Sequence, residues 1–327
     1  MKAAPQGTTD PPQVTIAVVS WNTRTLLADC LDSLHDEVKE GLAEVWVVDN
    51  GSSDGSPGLV RERFPWANLI ELVENPGFGA AVNAVAARTS GEWIAPSNAD
   101  VRLSRGALGL LVSEGELHPE AAVIAPRLVL PDGTTQHSVY PFPTIPFTLA
   151  YAFGAISVSD RLARFWGVER GFDRDRAREV SWAVGAFMLV RRSAWEQVGG
   201  FDETHWMYAE DLDLGWRLRR AGWITRYTPD ARVFHAESAA TTQAWGDARH
   251  ARWHASTYAW MARRRGFLVA RLVAALYVVG FLLRAAARSP GALVGSSASR
   301  RAQRNALNTA RAHAVGLRPR NVLEQVR

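Results

Sequence analysis

The chain has 327 residues, 47% of them apolar or aromatic and 13 of them tryptophan, which excludes a disordered protein and allows one large domain with an appendage. The net charge of +4 joins two unlike parts: residues 249–327 hold 15 arginines against one acid, Glu324, whereas residues 1–248 hold 22 basic and 32 acidic side chains. This excludes a uniformly basic nucleic-acid binder and suggests an acidic body carrying a tail suited to an anionic surface. The single cysteine, Cys30, excludes a disulfide framework and a Cys-rich zinc site. Residues 1–13 are polar, lack the apolar run of a secretory signal and read as a flexible leader.

Val14–Ser20 is a β-branched run that reads as a buried strand, followed by Leu26, Leu27, Cys30, Leu31 and Leu34 at helical spacing. Glu44–Asp49 is a second strand that runs into the turn-rich Asn50–Gly55. A helix near 56–64, a strand at Asn68–Val73, a helix at Gly77–Arg88 and a strand at Glu92–Pro96 follow. This alternation predicts a parallel sheet with helices on both faces. The second half is less regular. Ala121–Leu130 and Thr135–Val139 flank Pro131-Asp132-Gly133 as a hairpin, and Val180–Arg191 reads as a strand. A short helix starting near Ser193 ends at Gly199-Gly200; Ala209–Ala221 is a helix stopped by Gly222. Trp223–Thr228 and Arg232–His235 read as short strands. Residues 243–265 are helical, Phe267–Leu283 is almost wholly apolar, and the chain beyond Ser289 reads as loosely ordered.

In doubly wound sheets, ligands bind at the carboxyl ends of strands, so the residues just after each strand carry the chemistry. Asp49 suits a ribose hydroxyl or a base N–H, or else a turn cap. Asn75–Asn83 places two glycines before a helix N-terminus, where backbone can approach an anion, but it lacks the full dinucleotide fingerprint. Asn98 and Asp100, two apart on extended chain, offer two oxygens to one hard cation. Glu210 and Asp211 open a helix, where acids cap well; with Trp206 and Tyr208 before them they also suit a general base beside a sugar-stacking surface. Asp213 and Arg217 form an i,i+4 ion pair read as structural. His235 ends a strand and is either a hydrogen-bonded core histidine or a further metal or phosphate ligand.

These segments together resemble the family 2 glycosyltransferases, and within them the rhamnosyltransferase-like subgroup. The resemblance rests on Val14–Asn22, Val47–Gly55, Asn75–Asn83, Ser97–Asp100, Gly185–Met188 and Gly199–Arg217, six motifs in order over residues 14–240. It implies the α/β GT-A nucleotide-sugar-binding fold, a mostly parallel sheet flanked by helices with a C-terminal helical extension. It implies donor contacts from Ser20, Asn22, Asp49, Asn75, Gly79, Asn83 and Asn98. Asp100, Asn98 and His235 are implied to hold a divalent cation, Mg2+ or Mn2+. Asp211 is implied as the catalytic base, with Glu210 as fallback, and Gly185, Trp206 and Tyr208 as acceptor contacts. Two positions depart from the family pattern: Asn98 stands where the first aspartate of its D-x-D motif is usual, and Ala99 where a proline is usual. The glutamine of the Q-x-x-R-W motif of processive relatives is missing before Arg252-Trp253, so the resemblance implies single-sugar addition.

The expected organisation is a leader (1–13), a transfer domain (14–240), a helical extension (241–288) and a basic tail (289–327). The implied partners are a nucleotide-sugar donor and a glycan or polyprenyl-diphosphate-linked acceptor. The 17-residue apolar run Phe267–Leu283 contains Arg271 and is short for a span of about 20 residues. With arginines at both ends, it reads as an interfacial helix giving peripheral membrane contact through 263–288, with a core or oligomer helix as the alternative. The corresponding location is the cytoplasm at the inner face of the membrane. No aromatic residue follows residue 288 to stack bases, so no nucleic-acid partner is expected. The rival readings are a non-catalytic binding protein of the same fold and a nucleotidyltransferase. The latter should show a glycine-rich loop after the first strand, whereas Ser20–Arg24 has no glycine.

Overall fold

The structure, a computed structural model, describes residues 12–236, Gly246, 248–293 and 296–325. Most of the leader and the expected boundary at 240 lie outside the described residues.

The first half folds as its pattern dictates. Strands β1 (Val14–Ser20), β2 (Ala43–Asp49), β3 (Asn68–Glu71) and β4 (Trp93–Asn98) stand in the order β3-β2-β1-β4, all parallel. The register sets Ser20 beside Asp49 and Val19 beside Asn98, so the polar strand ends share one edge. Helices α1 (Arg24–Lys39), α2 (Ser56–Arg63) and α3 (Phe78–Ala86) are the crossovers. Alternation along β1 separates two cores: Ile16 and Val18 pack with Leu27, Cys30, Leu31 and Leu34 of α1, while Ala17 packs with Ala81, Val82 and Val85 of α3.

The second half makes the sheet mixed. Two elements, β5 (Val101–Leu103) and α4 (Ala107–Leu117), lie where the sequence pattern assigns nothing. They precede β6 (Ala121–Val129), β7 (Val139–Tyr140) and three short helices, α5 (Ile145–Ala152), α6 (Ala155–Val158) and α7 (Asp160–Trp166). The expected hairpin is only a turn. Leu130 N donates to Thr134 O at 2.8 Å, but strand pairing stops at one bridge, Val129–Thr135. Gln136 N also donates to Leu128 O at 2.9 Å, after which the chain leaves β6. Strand β6 pairs with β10 (Leu189–Arg191) at Val123 and Ile124 and with β11 (Ile224–His235) on its other edge, and β7 pairs with β9 (Trp182–Ala183). The expected strand 180–191 is thus divided into β8 (Arg178–Val180), β9 and β10. β10 inserts antiparallel between β4 and β6. The two short strands expected at 223–235 are one strand, β11, with a register shift between Thr228 and Arg232, where Pro229 cannot donate to the ladder.

Helices α8 (Arg192–Val198) and α9 (Glu210–Arg220) precede α10 (Ala248–Arg265), α11 (Phe267–Leu293), α12 (Ser297–His313) and α13 (Pro319–Gln325). The chain beyond Ser289, expected to be loosely ordered, is therefore largely helical. Ala306, Ala310 and Val322 are buried with Tyr258, Trp260, Val273 and Tyr277, and this core reaches Trp182 and Leu212 of the body. Alanines four apart give α12 a narrow face that packs closely, a pattern without the bulk that marks a core helix in sequence.

One polar hub locks the extension to the body. The side chain of Asp213 is 0% exposed. Its Oδ2 accepts from Arg217 Nε at 2.6 Å, and its Oδ1 accepts from Arg264 Nε at 2.6 Å and Trp260 Nε1 at 3.0 Å. Arg264 also reaches Asp202, and Arg217 donates to Val198 O and Gly200 O. Removing one member of a buried charge network costs about 3–5 kcal/mol because the remaining charges lose their partner. Asp213→Ala is therefore expected to lower the urea midpoint strongly and by more than Asp202→Ala. Equal, small effects of the two would contradict the hub.

Candidate functional site

At the carboxyl ends of β1, β2 and β4 lies a cleft of about 440 Å3. Of the sequence-predicted residues it brings together Asn75, Asn98, Asp100, Gly185, Tyr208, Glu210, Asp211 and His235. It does not include Ser20, Asn22, Asp49, Gly79, Asn83 or Trp206 in its lining. These six shape the wall from behind. Ser20 and Thr23 hydroxyls bond at 3.0 Å, and Asn22 Oδ1 accepts from Ser53 N at 2.8 Å. Asp49 Oδ2 accepts from Ser52 N at 2.8 Å, while its buried Oδ1 has no hydrogen-bond partner among the described residues. Asn83 bridges α3 to the glycine turn through Phe201 N and O, and Gly79 lets Phe201 approach α3. Trp206 Nε1 donates to Asn75 O at 2.8 Å, bracing the turn before α3. A Cβ on Gly77, whose φ is +97°, would sit 2.2 Å from Trp206 O, so only glycine fits there.

The two acids sit at a strained entry to α9. Tyr208 and Ala209 both have left-handed backbone, φ 63° and 68°, which costs a non-glycine residue energy and presents the following carboxylates to the cleft. Asp211 Oδ2 accepts from Gly185 N at 3.0 Å and Oδ1 from Leu212 N at 2.7 Å. Burial raises the pKa of Asp211, and these bonds partly offset the rise. Burial and then the neighbouring Asp211 raise Glu210 well above the usual carboxylate range, and its Oε2 has no hydrogen-bond partner among the described residues. Burial thus raises both members of the pair, Glu210 the more strongly.

Across the cleft, β11 antiparallel to β5 sets His235 opposite Val101, next to Asp100. His235 Nδ1 lies 2.8 Å from Gln136 Oε1, an acceptor, which places the ring proton on Nδ1 and the lone pair on Nε2. That Nε2 has no hydrogen-bond partner among the described residues and stands 3.3 Å from Asp100 Oδ1. Two electron-rich atoms facing each other in a buried wall suit a shared cation, and the Asn98 side chain lines the same cleft. A second group, Asp202, His205 and Asp213, also has metal-like spacing. It is a poor cation site because Arg217 and Arg264 already neutralise Asp213.

Sequence reasoning missed Gln136, Tyr140, Trp182 and Arg249 in the lining, whereas Asn50, at the strand end beside Asp49, does line it. Gln136 follows a surface turn and reaches His235 from 99 positions away, a relation no local pattern carries. Arg249 and Trp253 lie in the segment read only for its missing glutamine.

Comparison with known proteins follows the same lines. The model of glycosyl transferase family 2 matches residues 15–198, and that of glycosyl transferase family 21 matches residues 174–316. An N-acetylglucosaminyl-diphospho-decaprenol L-rhamnosyltransferase of Mycobacterium tuberculosis is 34% identical over 248 residues, 67% of this chain and 75% of that protein. Rhamnosyltransferase WbbL of Escherichia coli is 40% identical over 87 residues, 26% of this chain and 32% of that protein. The mannosyltransferase PcManGT of Pyrobaculum calidifontis, solved with GDP-Man and Mn2+, shares the fold with a TM-score of 0.58 at 20% identity, covering 94% of this chain and 88% of that one.

If Asp100 and His235 hold a cation, Mn2+ titration followed by electron paramagnetic resonance should show binding that Asp100→Ala and His235→Ala each weaken by about tenfold or more, and that Asp202→Ala leaves alone. Loss on Asp202→Ala alone would move the site to the Arg264 hub.

Proposed function

The chain belongs to glycosyltransferase family 2, and on that premise we propose that it transfers a single L-rhamnosyl group from a deoxythymidine-diphospho-sugar to a hydroxyl of a polyprenyl-diphosphate-linked sugar. The observation that carries the catalytic assignment is geometric: Asp211 lines the cleft at the start of α9, its Oδ2 held by Gly185 N at 3.0 Å and its Oδ1 by Leu212 N at 2.7 Å.

Asp211 removes the proton from the acceptor hydroxyl as its oxygen attacks the anomeric carbon, and the nucleoside diphosphate leaves from the opposite face. Gly185 N and Leu212 N hold the carboxylate in place during that transfer. Asp100 and His235, with Asn98 beside them, would hold a divalent cation, which would supply positive charge against the diphosphate. Asn98 in place of a carboxylate makes this site less negative than two acids would. Arg249 and His250 add basic side chains to the cleft wall. Asn50 Oδ1, a buried acceptor without a partner among the described residues, follows β2 in the cleft lining, where the base or ribose would rest, with Asp49 behind it. Tyr208 and Trp182 offer ring faces to the acceptor sugar.

The acceptor's lipid anchor calls for a membrane surface. Phe267–Ser289 is one helix long and apolar enough to cross a membrane by length and composition. One face of α11 packs inside: a Cβ on Gly280 would lie 2.7 Å from Ala152 of α5. Its other face exposes Leu268, Leu272, Val279, Leu282 and Leu283, and the adjoining α5–α7 segment exposes Leu149, Phe153, Val158 and Phe165. With Arg271, Arg284 and Arg288 on the same helix, this surface suits peripheral contact with anionic lipid.

Base catalysis contributes about 100- to 10,000-fold, so Asp211→Asn should lose turnover by that order with donor binding kept. Asp211 acts only when deprotonated, and its pKa is raised, so the acid limb of kcat/KM should lie above the 3.8 of an ordinary aspartate. Glu210→Gln should retain that limb, because Asp211 and not Glu210 is the proposed base; disappearance of the limb in Glu210→Gln would reverse the two roles. The membrane contact predicts that Leu268→Glu combined with Leu272→Glu abolishes flotation with phosphatidylglycerol vesicles without lowering Tm. Unchanged flotation would remove it.

A further inference from the structure

A second cavity, about 580 Å3, lies between α5–α7 and helices α10–α12. Packed interiors hold few voids larger than a water molecule, and this volume falls in the range of about 300–1,000 Å3 typical of ligand pockets. Its wall is apolar and aromatic, with Phe147, Ile156, Val168, Met261, Val273 and Tyr277 among its lining. The charged lining residues, Glu169 and Arg170, are exposed at its rim. The histidines in its wall are neutral: burial lowers His254 to about 4 and His313 to about 3. His313 stacks on Tyr277 with ring centroids 3.9 Å apart and bonds the Tyr258 hydroxyl at 2.8 Å, so their polar atoms face one another.

This cavity shares Tyr140, Trp182 and Trp253 with the cleft that holds Asp211. At that common wall the polar atoms of Tyr140 and Trp182 are spent on the backbone, the hydroxyl on His137 O at 2.9 Å and the indole N–H on Pro141 O at 3.3 Å. The two rings lie against each other, their centroids 5.3 Å apart and their planes tilted by 31°. On the other side Tyr151, 38% exposed, belongs both to the cavity wall and to the apolar surface of α5–α7. Tyr140, Trp182 and Trp253 thus stand between the transfer cleft and the second cavity, and Tyr151 stands between that cavity and the surface proposed to meet the membrane.

We propose that this second cavity binds the isoprenoid segment next to the diphosphate of the acceptor, so that the enzyme reads the acceptor's lipid as well as its sugar. The proposal rests on the transfer reading above for the identity of the acceptor, and its test separates the two. The filling positions are Thr257 on α10 and Thr309 on α12, half-buried lining residues on different helices. Isothermal titration with farnesyl phosphate should show binding to the native protein, weakened by about tenfold or more in both Thr257→Phe and Thr309→Phe. Absence of binding to the native protein, or unchanged binding in both variants, would overturn the cavity assignment whatever the enzyme transfers. In rate assays, N-acetylglucosamine joined through diphosphate to a farnesyl chain should exceed the butyl-linked analogue in kcat/KM by about tenfold, and both substitutions should bring that ratio toward one. An equal ratio in the native enzyme would also overturn the chain site. Farnesyl phosphate binding with no sugar transfer to either acceptor would leave the cavity standing and reject the transfer reading.

Discussion

A carboxylate with no access to water must be neutralised where it stands, and Asp213 is such a group. Arg217 from its own helix and Arg264 from α10 enclose it, with Trp260 completing its shell. Because Arg217 also holds Val198 O and Gly200 O, the hub sets the glycine turn that leads into the 201–208 loop. Because Arg264 comes from the C-terminal helices, the helix bearing Glu210 and Asp211 reaches its final position only when those helices dock. The extension is thus a structural condition of the site, which also explains why its core is continuous with Trp182 and Leu212.

What the hub holds in place is a pair of acids in an unfavourable setting. Left-handed Tyr208 and Ala209 and the burial of Glu210 all cost stability locally. The surrounding contacts offset this: Trp206 locks onto the Asn75 turn, and Gly185 N reaches Asp211. On the facing wall Gln136 fixes the His235 tautomer, leaving Nε2 toward Asp100. Asp211 and the Asp100–His235 pair thereby line one cleft, an arrangement suited to deprotonating one oxygen while another leaves.

How much of this is legible in sequence depends on the range of the interaction. The β-branched run Val14–Ser20 and the helical spacing of Leu27, Cys30, Leu31 and Leu34 are local patterns, and they fold as read. Asn98, Asp100 and the Glu210-Asp211 pair follow from strand-end and helix-start positions, and the cleft contains all four. Asn83 and Trp206 carry equally visible motifs, yet they serve the wall from behind, since a motif does not say which side of a turn faces the ligand. The second half misleads where partners are distant. The turn at Pro131–Gly133 forms, but the returning chain leaves β6 after Gln136, and β7 pairs with the distant β9. Arg264 looks like one of a row of basic residues until the fold places it on Asp213. The alanines of α12 look featureless until α10 and α11 supply the surface they pack against.

The account centres on one ionised base, Asp211, acting in a single displacement. The other carboxylates lining the cleft are Asp100, 3.3 Å from His235, and Glu210, which burial raises well above the usual carboxylate range. The most direct test is the anomeric configuration of the product formed from deoxythymidine-diphospho-L-rhamnose and a diphosphate-linked N-acetylglucosamine acceptor, read from the one-bond carbon–proton coupling at C1 by NMR. A configuration opposite to that of the donor is the predicted result; retention of the donor's configuration would contradict the account.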